Sequence, residues 1–103
     1  MYRALRHGSA VPVFIDSSAF VAYFHGRDQH TDDARAFFSG VRDGELRARP
    51  LLTSEYVVDE TATTLLSHAG HGVAAAAVEQ LRASTQVRIR HVIPSTYDAA
   101  CDR

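Results

Sequence analysis

Val11-Pro12-Val13-Phe14-Ile15-Asp16-Ser17-Ser18-Ala19-Phe20-Val21-Ala22 runs from an apolar segment, through a carboxylate and two hydroxyls, back into apolar residues. Val13, Phe14 and Ile15 make a short continuous apolar run, the pattern of a strand over residues 11–15 buried on both faces in a parallel sheet. Pro12 is tolerated because it stands at the strand's beginning. Asp16, Ser17 and Ser18 are helix-capping side chains. The nearly unbroken apolar run over residues 19–24 then predicts a short, mostly enclosed helix, broken at His25-Gly26-Arg27-Asp28.

Outward from this unit the same alternation continues. Thr31 reads as an N-cap, Asp32 and Asp33 place negative charge on a first helical turn, and Ala34, Phe37, Phe38 and Val41 recur at helical spacing. Gly40 and Asp43-Gly44 close that helix. A brief second strand over residues 47–52 ends at Thr53-Ser54, and Ser54 caps a third helix over residues 55–69. That helix carries Val57, Val58, Thr61, Ala62, Leu65, Leu66 and Ala69 on one broad face, with Gly70 as its stop. A fourth helix follows over residues 72–83. Residues 87–93 are rich in β-branched side chains and read as a third strand near an edge of the sheet, stopped by Pro94. Ser95 caps a last helix running to Arg103. This order implies an α/β sandwich with parallel strands and right-handed crossovers. Phe20, Phe24, Phe37 and Phe38 read as its core, with a partner-facing apolar surface as the other reading.

The chain has 103 residues, 11 basic and 12 acidic, with a formal net charge of −1. That suits a single domain over residues 1–103 and leaves no room for a second. Every basic residue is Arg, and the near-zero balance excludes a broad basic surface that grips duplex DNA without sequence preference. Any nucleic-acid site is therefore local. Arg47, Arg49, Arg88 and Arg90 are candidates for steering phosphates, against a plainer reading as solvated charge. No apolar run approaches the ~20 residues that cross a bilayer, so no membrane partner is expected. Residues 1–10 lack the apolar core of a secretory signal. The lone Cys101 fits a reducing compartment, and the expected location is the cytoplasm.

Ligands of open parallel sheets bind at the carboxyl ends of the strands. Two acids belong there: Asp16, directly after the first strand, and Glu60, in the second turn of the helix after the second strand. A carboxylate that ends an apolar strand needs a capping role or a cation, and for Asp16 both readings stand. On a helical wheel Glu60 falls beside Tyr56 and Thr64, away from the apolar stripe, so alone it reads as an exposed carboxylate. Only its pairing with Asp16 lifts it. His68 and His71 lack the further ligands of a zinc site, and no glycine-rich phosphate loop is present. A phosphotransferase of the haloacid-dehalogenase type would want a second Asp at position 18, where Ser18 stands.

Residues 13–22 together with Leu52-Thr53-Ser54-Glu55-Tyr56-Val57-Val58-Asp59-Glu60-Thr61 resemble the first two motifs of PIN-domain ribonucleases, especially VapC-like toxins of toxin–antitoxin systems. The resemblance covers most of the chain, element order included, and implies a PIN-like three-layer sandwich with a parallel sheet. It implies an endoribonuclease in which acidic side chains hold Mg²⁺ or Mn²⁺ and metal-activated water cuts RNA, with a cognate antitoxin as partner. Asp16 resembles the first family acid and Glu60 the second, which makes both the expected metal ligands and catalytic residues. Ser17 resembles the small hydroxyl residue after the first acid, with orientation of water or phosphate and helix capping as its two readings. Family members continue with a fourth strand and further acidic motifs, whereas this sequence stops at Cys101-Asp102-Arg103 and neither Asp98 nor Asp102 matches them. The expectation is a truncated copy whose first strand is an open apolar edge, inviting pairing with another chain, a homodimer included. A non-catalytic fragment serving as a protein-binding module is the alternative.

Overall fold

The computed structural model describes residues 10–91. In chain order it contains β1 (Val11–Phe14), α1 (Ser17–His25), α2 (Thr31–Arg42), β2 (Ala48–Ser54), α3 (Glu55–His68), α4 (His71–Ala83) and β3 (Val87–Arg90). The strands are parallel in the order β1-β2-β3. Val13 aligns with Leu51 and Leu51 with Val87, so these three form one row across the sheet. The row packs into a core with Phe20 of α1, Phe37 and Val41 of α2, Val57 and Val58 of α3, and Leu81 of α4. All four helices thus share one face of the sheet, as successive right-handed crossovers in a single direction require.

Alternation turns Phe14, Leu52 and Arg88, the next aligned row, to the opposite face. The expectation that β1 is buried on both faces is corrected here. Phe14 is 59% exposed because the helices cover only the other face of the sheet, and Val11, at the start of an edge strand of the described sheet, is 43% exposed. The open apolar edge expected for this strand is present among the described residues. The strand predicted to reach residue 93 is described as far as Arg90, and the helix expected from Ser95 onward, with Cys101, lies outside the described residues.

Two caps differ from expectation. Thr31 is not an N-cap. It is buried as the first residue of α2 and donates its hydroxyl to the Ala22 carbonyl at 2.6 Å, tying α2 to α1, while His30 holds the cap position without a side-chain capping bond. A buried hydroxyl gains more from a fixed acceptor than an exposed helix end gains from a cap that water can replace. At the start of α1 Asp16, not Ser17, is the cap. Ser54 caps α3 as expected, accepting from the Val57 N–H at 3.2 Å. The phenylalanines are core: Phe20 and Phe37 are buried, and Phe38 stacks on Phe20 with ring centroids 6.0 Å apart. Gly26 closes α1 at φ +80°, a left-handed conformation that costs a residue bearing Cβ.

Candidate active site

The site is built where β1 and β2 hand over to α1 and α3. Residue 15 keeps β1 tied to β2, with the Ile15 N–H donating to the Leu52 carbonyl at 2.7 Å and the Thr53 hydroxyl to the Ile15 carbonyl at 2.9 Å. The backbone is thereby fixed through both polar groups of Ile15 before Asp16 is reached. Asp16 is exposed and extended (φ −99°, ψ −179°), and its Oδ1 accepts from the Ser18 N–H at 3.0 Å and the Ser18 hydroxyl at 2.6 Å. Oδ2 accepts no hydrogen bond from another described residue.

Ser17 is half-buried in the first turn of α1, and its hydroxyl donates to Glu60 Oε1 at 2.6 Å. This bond joins α1 to α3 across 43 residues of sequence and holds Glu60 against the first turn of α1, next along the chain from the Asp16 cap. Glu60 is exposed on the polar side of α3, as its place on the wheel predicts, with Tyr56 exposed one turn earlier. Thr61, the next residue, is buried with its hydroxyl satisfied by the Val57 carbonyl at 2.8 Å, so Thr61, Val57 and Val58 turn inward and Glu60 outward. The capping and cation readings of Asp16 are compatible: the cap engages Oδ1 and leaves Oδ2.

Both acids lie at the amino end of α1, whose unpaired N–H groups and dipole favour negative charge. No Arg is bound to either acid among the described residues, and no group of three or more His, Cys, Asp and Glu side chains suited to a metal occurs among them. Each acid keeps one hard oxygen that accepts no hydrogen bond from another described residue. Oxygen donors of this kind suit a water-rich Mg²⁺ or Mn²⁺, which one or two carboxylates plus substrate phosphates can hold, and do not suit zinc.

A feature the sequence reading missed lies beside the site. Glu55, in the first turn of α3, receives both arms of the Arg82 guanidinium at 2.7 and 3.1 Å. The Arg82 hydrogen bond holds the Glu55 carboxyl below its ordinary value, with the charges of Arg82 and His91 acting in the same direction and burial opposing. The same bond raises Arg82. An acid in the first turn of α3 and an Arg in the last turn of α4 are each ordinary helix-end choices, so neither announces the pair.

No protein-family model and no curated protein sequence matches the chain. Its structure is similar to that of VapC20 from Mycobacterium tuberculosis, a sarcin-ricin loop cleaving toxin, with a TM-score of 0.73 and 28% sequence identity over 87% of this chain. The chain spans 64% of the length of that toxin. The parallel three-stranded sheet with four helices on one face is thus a PIN-like α/β fold of the VapC kind.

Proposed function

We propose that the protein is a divalent-metal-dependent ribonuclease of the VapC toxin kind, acting at the Asp16–Glu60 rim on an RNA loop. The observation that carries this reading is the Ser17–Glu60 bond, which sets two carboxylates from distant parts of the chain at one end of the sheet in a fold shared with an RNA-cleaving toxin. Asp16 and Glu60 are the residues that would hold Mg²⁺ or Mn²⁺. Such an ion, when bound, supplies an acidified water and positive charge against the phosphate.

The chain's own contributions follow from the hydrogen bonds. Ser18 holds Asp16 through Oδ1, so the carboxylate presents one oxygen in a fixed direction. Ser17 has committed its proton to Glu60, so it is a positioning residue in this state: it accepts a hydrogen bond from water with its lone pairs, and donates to a phosphate only by releasing Glu60. An antitoxin that silences the site, and a cytoplasmic setting for both, complete the reading. Among the described residues no helix is long and apolar enough to cross a membrane.

The test is cleavage of a sarcin-ricin loop oligonucleotide and of an unstructured RNA, with Mg²⁺ and with EDTA. Asn caps a helix as well as Asp does, so Asp16→Asn removes the charge while sparing the fold, whereas Asp16→Ala also costs about 1 kcal/mol of stability. Cleavage is expected to vanish in both variants with thermal stability lowered only in the second. Unchanged cleavage by Asp16→Asn overturns the proposal. The second reading, a non-catalytic protein-binding module, draws on the exposed β1 edge and is favoured if wild-type chain cuts neither RNA.

A further inference from the structure

The opposite end of the sheet has a chemistry of its own. Arg42 in the last turn of α2, Arg49 near the start of β2 and Arg88 near the start of β3 line one cleft of about 340 Å³, with Pro50, Thr85 and Gln86 between them. The volume is within the range of small-ligand sites, roughly 300–1,000 Å³. The remaining wall is aliphatic, and no carboxylate lines it. Arg42 is partly engaged by Asp43 at 3.5 Å and by the Ser39 hydroxyl at 3.3 Å, while Arg49 and Arg88 form no ion pair with another described residue. The pairing of β1 with β2 is irregular here. From Val11 to Val13 the first strand advances two residues while its partner advances from Ala48 to Leu51, and the extra residue re-aims Arg49 and Pro50 beside the cleft.

We infer that this cleft binds the phosphodiester backbone of a single-stranded RNA and anchors it at a distance from the acidic rim. Three guanidiniums on three different elements, in a chain whose net charge is −1, concentrate positive charge where planar, forked donors match phosphate oxygens. No aromatic residue lines the cleft, so it offers a base nothing to stack on and reads the backbone rather than a free nucleotide. Ser54, which ends β2 beside the acidic rim, stands five residues beyond Arg49, roughly 16 Å at about 3.3 Å per strand residue. A strand held in the cleft therefore passes the carboxylates within a short length. The inference deepens the nuclease reading and rests on it for the identity of the polymer.

The experiment is equilibrium binding in EDTA, where no cleavage occurs, using a fluorescent single-stranded RNA of about twelve nucleotides, roughly 40 Å at 3.4 Å per nucleotide. Inorganic phosphate serves as competitor, and the proteins are wild type and the Arg49→Gln/Arg88→Gln pair. The paired variant is expected to bind at least about tenfold more weakly, with the salt slope reduced by about 1.4 for two lost phosphate contacts. The Arg49→Lys/Arg88→Lys pair, which keeps the charge, is expected to recover most of the slope and only part of the affinity. Unchanged affinity and slope in the glutamine pair overturn the inference, as does wild-type protein that binds no RNA. Displacement of RNA by phosphate at equal phosphate concentration makes the cleft a small-anion site instead. Each of these outcomes leaves the nuclease reading to the Asp16→Asn cleavage assay.

Discussion

Glu55 and Glu60 lie on the same helix and meet different company. Glu55 faces the end of α4, where Arg82 takes both of its oxygens and cancels its charge. Glu60 faces the start of α1, where a neutral hydroxyl takes one oxygen and leaves the charge in place. One carboxylate has become a tie between helices and the other stays available to a cation. Residue type, helix and exposure to the same end of the sheet do not separate them. The neighbouring element does, through whether it brings a guanidinium or a hydroxyl.

The sharpest way to break this contrast is to neutralise each acid in turn. Glu60→Gln keeps an acceptor for Ser17 but removes the charge a metal needs, so Mg²⁺-dependent RNA cleavage is expected to fall more than about a hundredfold, since loss of an outer-shell partner alone costs about 10–100-fold. Glu55→Gln is expected to leave cleavage within about twofold of wild type. Thermal unfolding of both variants separates misfolding from lost chemistry. Equal losses in the two variants would mean that Arg82 does not withdraw Glu55 from the site.

Ser17 tests what the hydroxyl contributes. Ser17→Ala leaves Glu60 exposed and without its tie to α1, and the expected result is a fall in activity of about 10–100-fold at limiting Mg²⁺ that is largely recovered at saturating Mg²⁺. Ser17→Thr keeps the donor and is expected to behave like wild type. A loss confined to the rate at saturating ion would instead give Ser17 a direct part in the chemistry, through release of Glu60.

Much of this was readable in the residues. Apolar runs ending in Asp16 and in Thr53-Ser54 placed two strands and the helices after them, because a buried strand and a capped helix leave local signatures. Glu60 was legible only in combination, since its own periodicity marks it as surface. The Ser17–Glu60 tie and the Arg82–Glu55 pair were not legible, and of the arginine cleft only Arg49 and Arg88 were, as phosphate-steering candidates without Arg42, since each joins elements whose contact depends on packing rather than on local spacing. Thr31 misled for a related reason: a hydroxyl before a helix looks like a cap until the preceding helix offers it a buried carbonyl. The burial of β1 was overestimated because three apolar residues in a row carry no information about which neighbours flank a strand.

The smallest effect concerns the stability that the Glu55 tie contributes. Its carboxyl is held below the ordinary value of 4.5, so the folded state binds its proton less readily than the unfolded chain does. The tie therefore stabilises fully above that value and is lost as the pH falls from it through the lowered one. Wild type is expected to melt slightly above Glu55→Gln at pH 7, with the gap closing on acidification as the protonated acid comes to resemble the amide. Because both side chains reach solvent, the gap is small and shrinks further in high salt. Thermal melts of the two proteins from pH 7 down to about pH 3 check this. A gap that persists in acid would show that the difference does not come from the Glu55 charge, and the contrast with Glu60 would then rest on geometry rather than on charge.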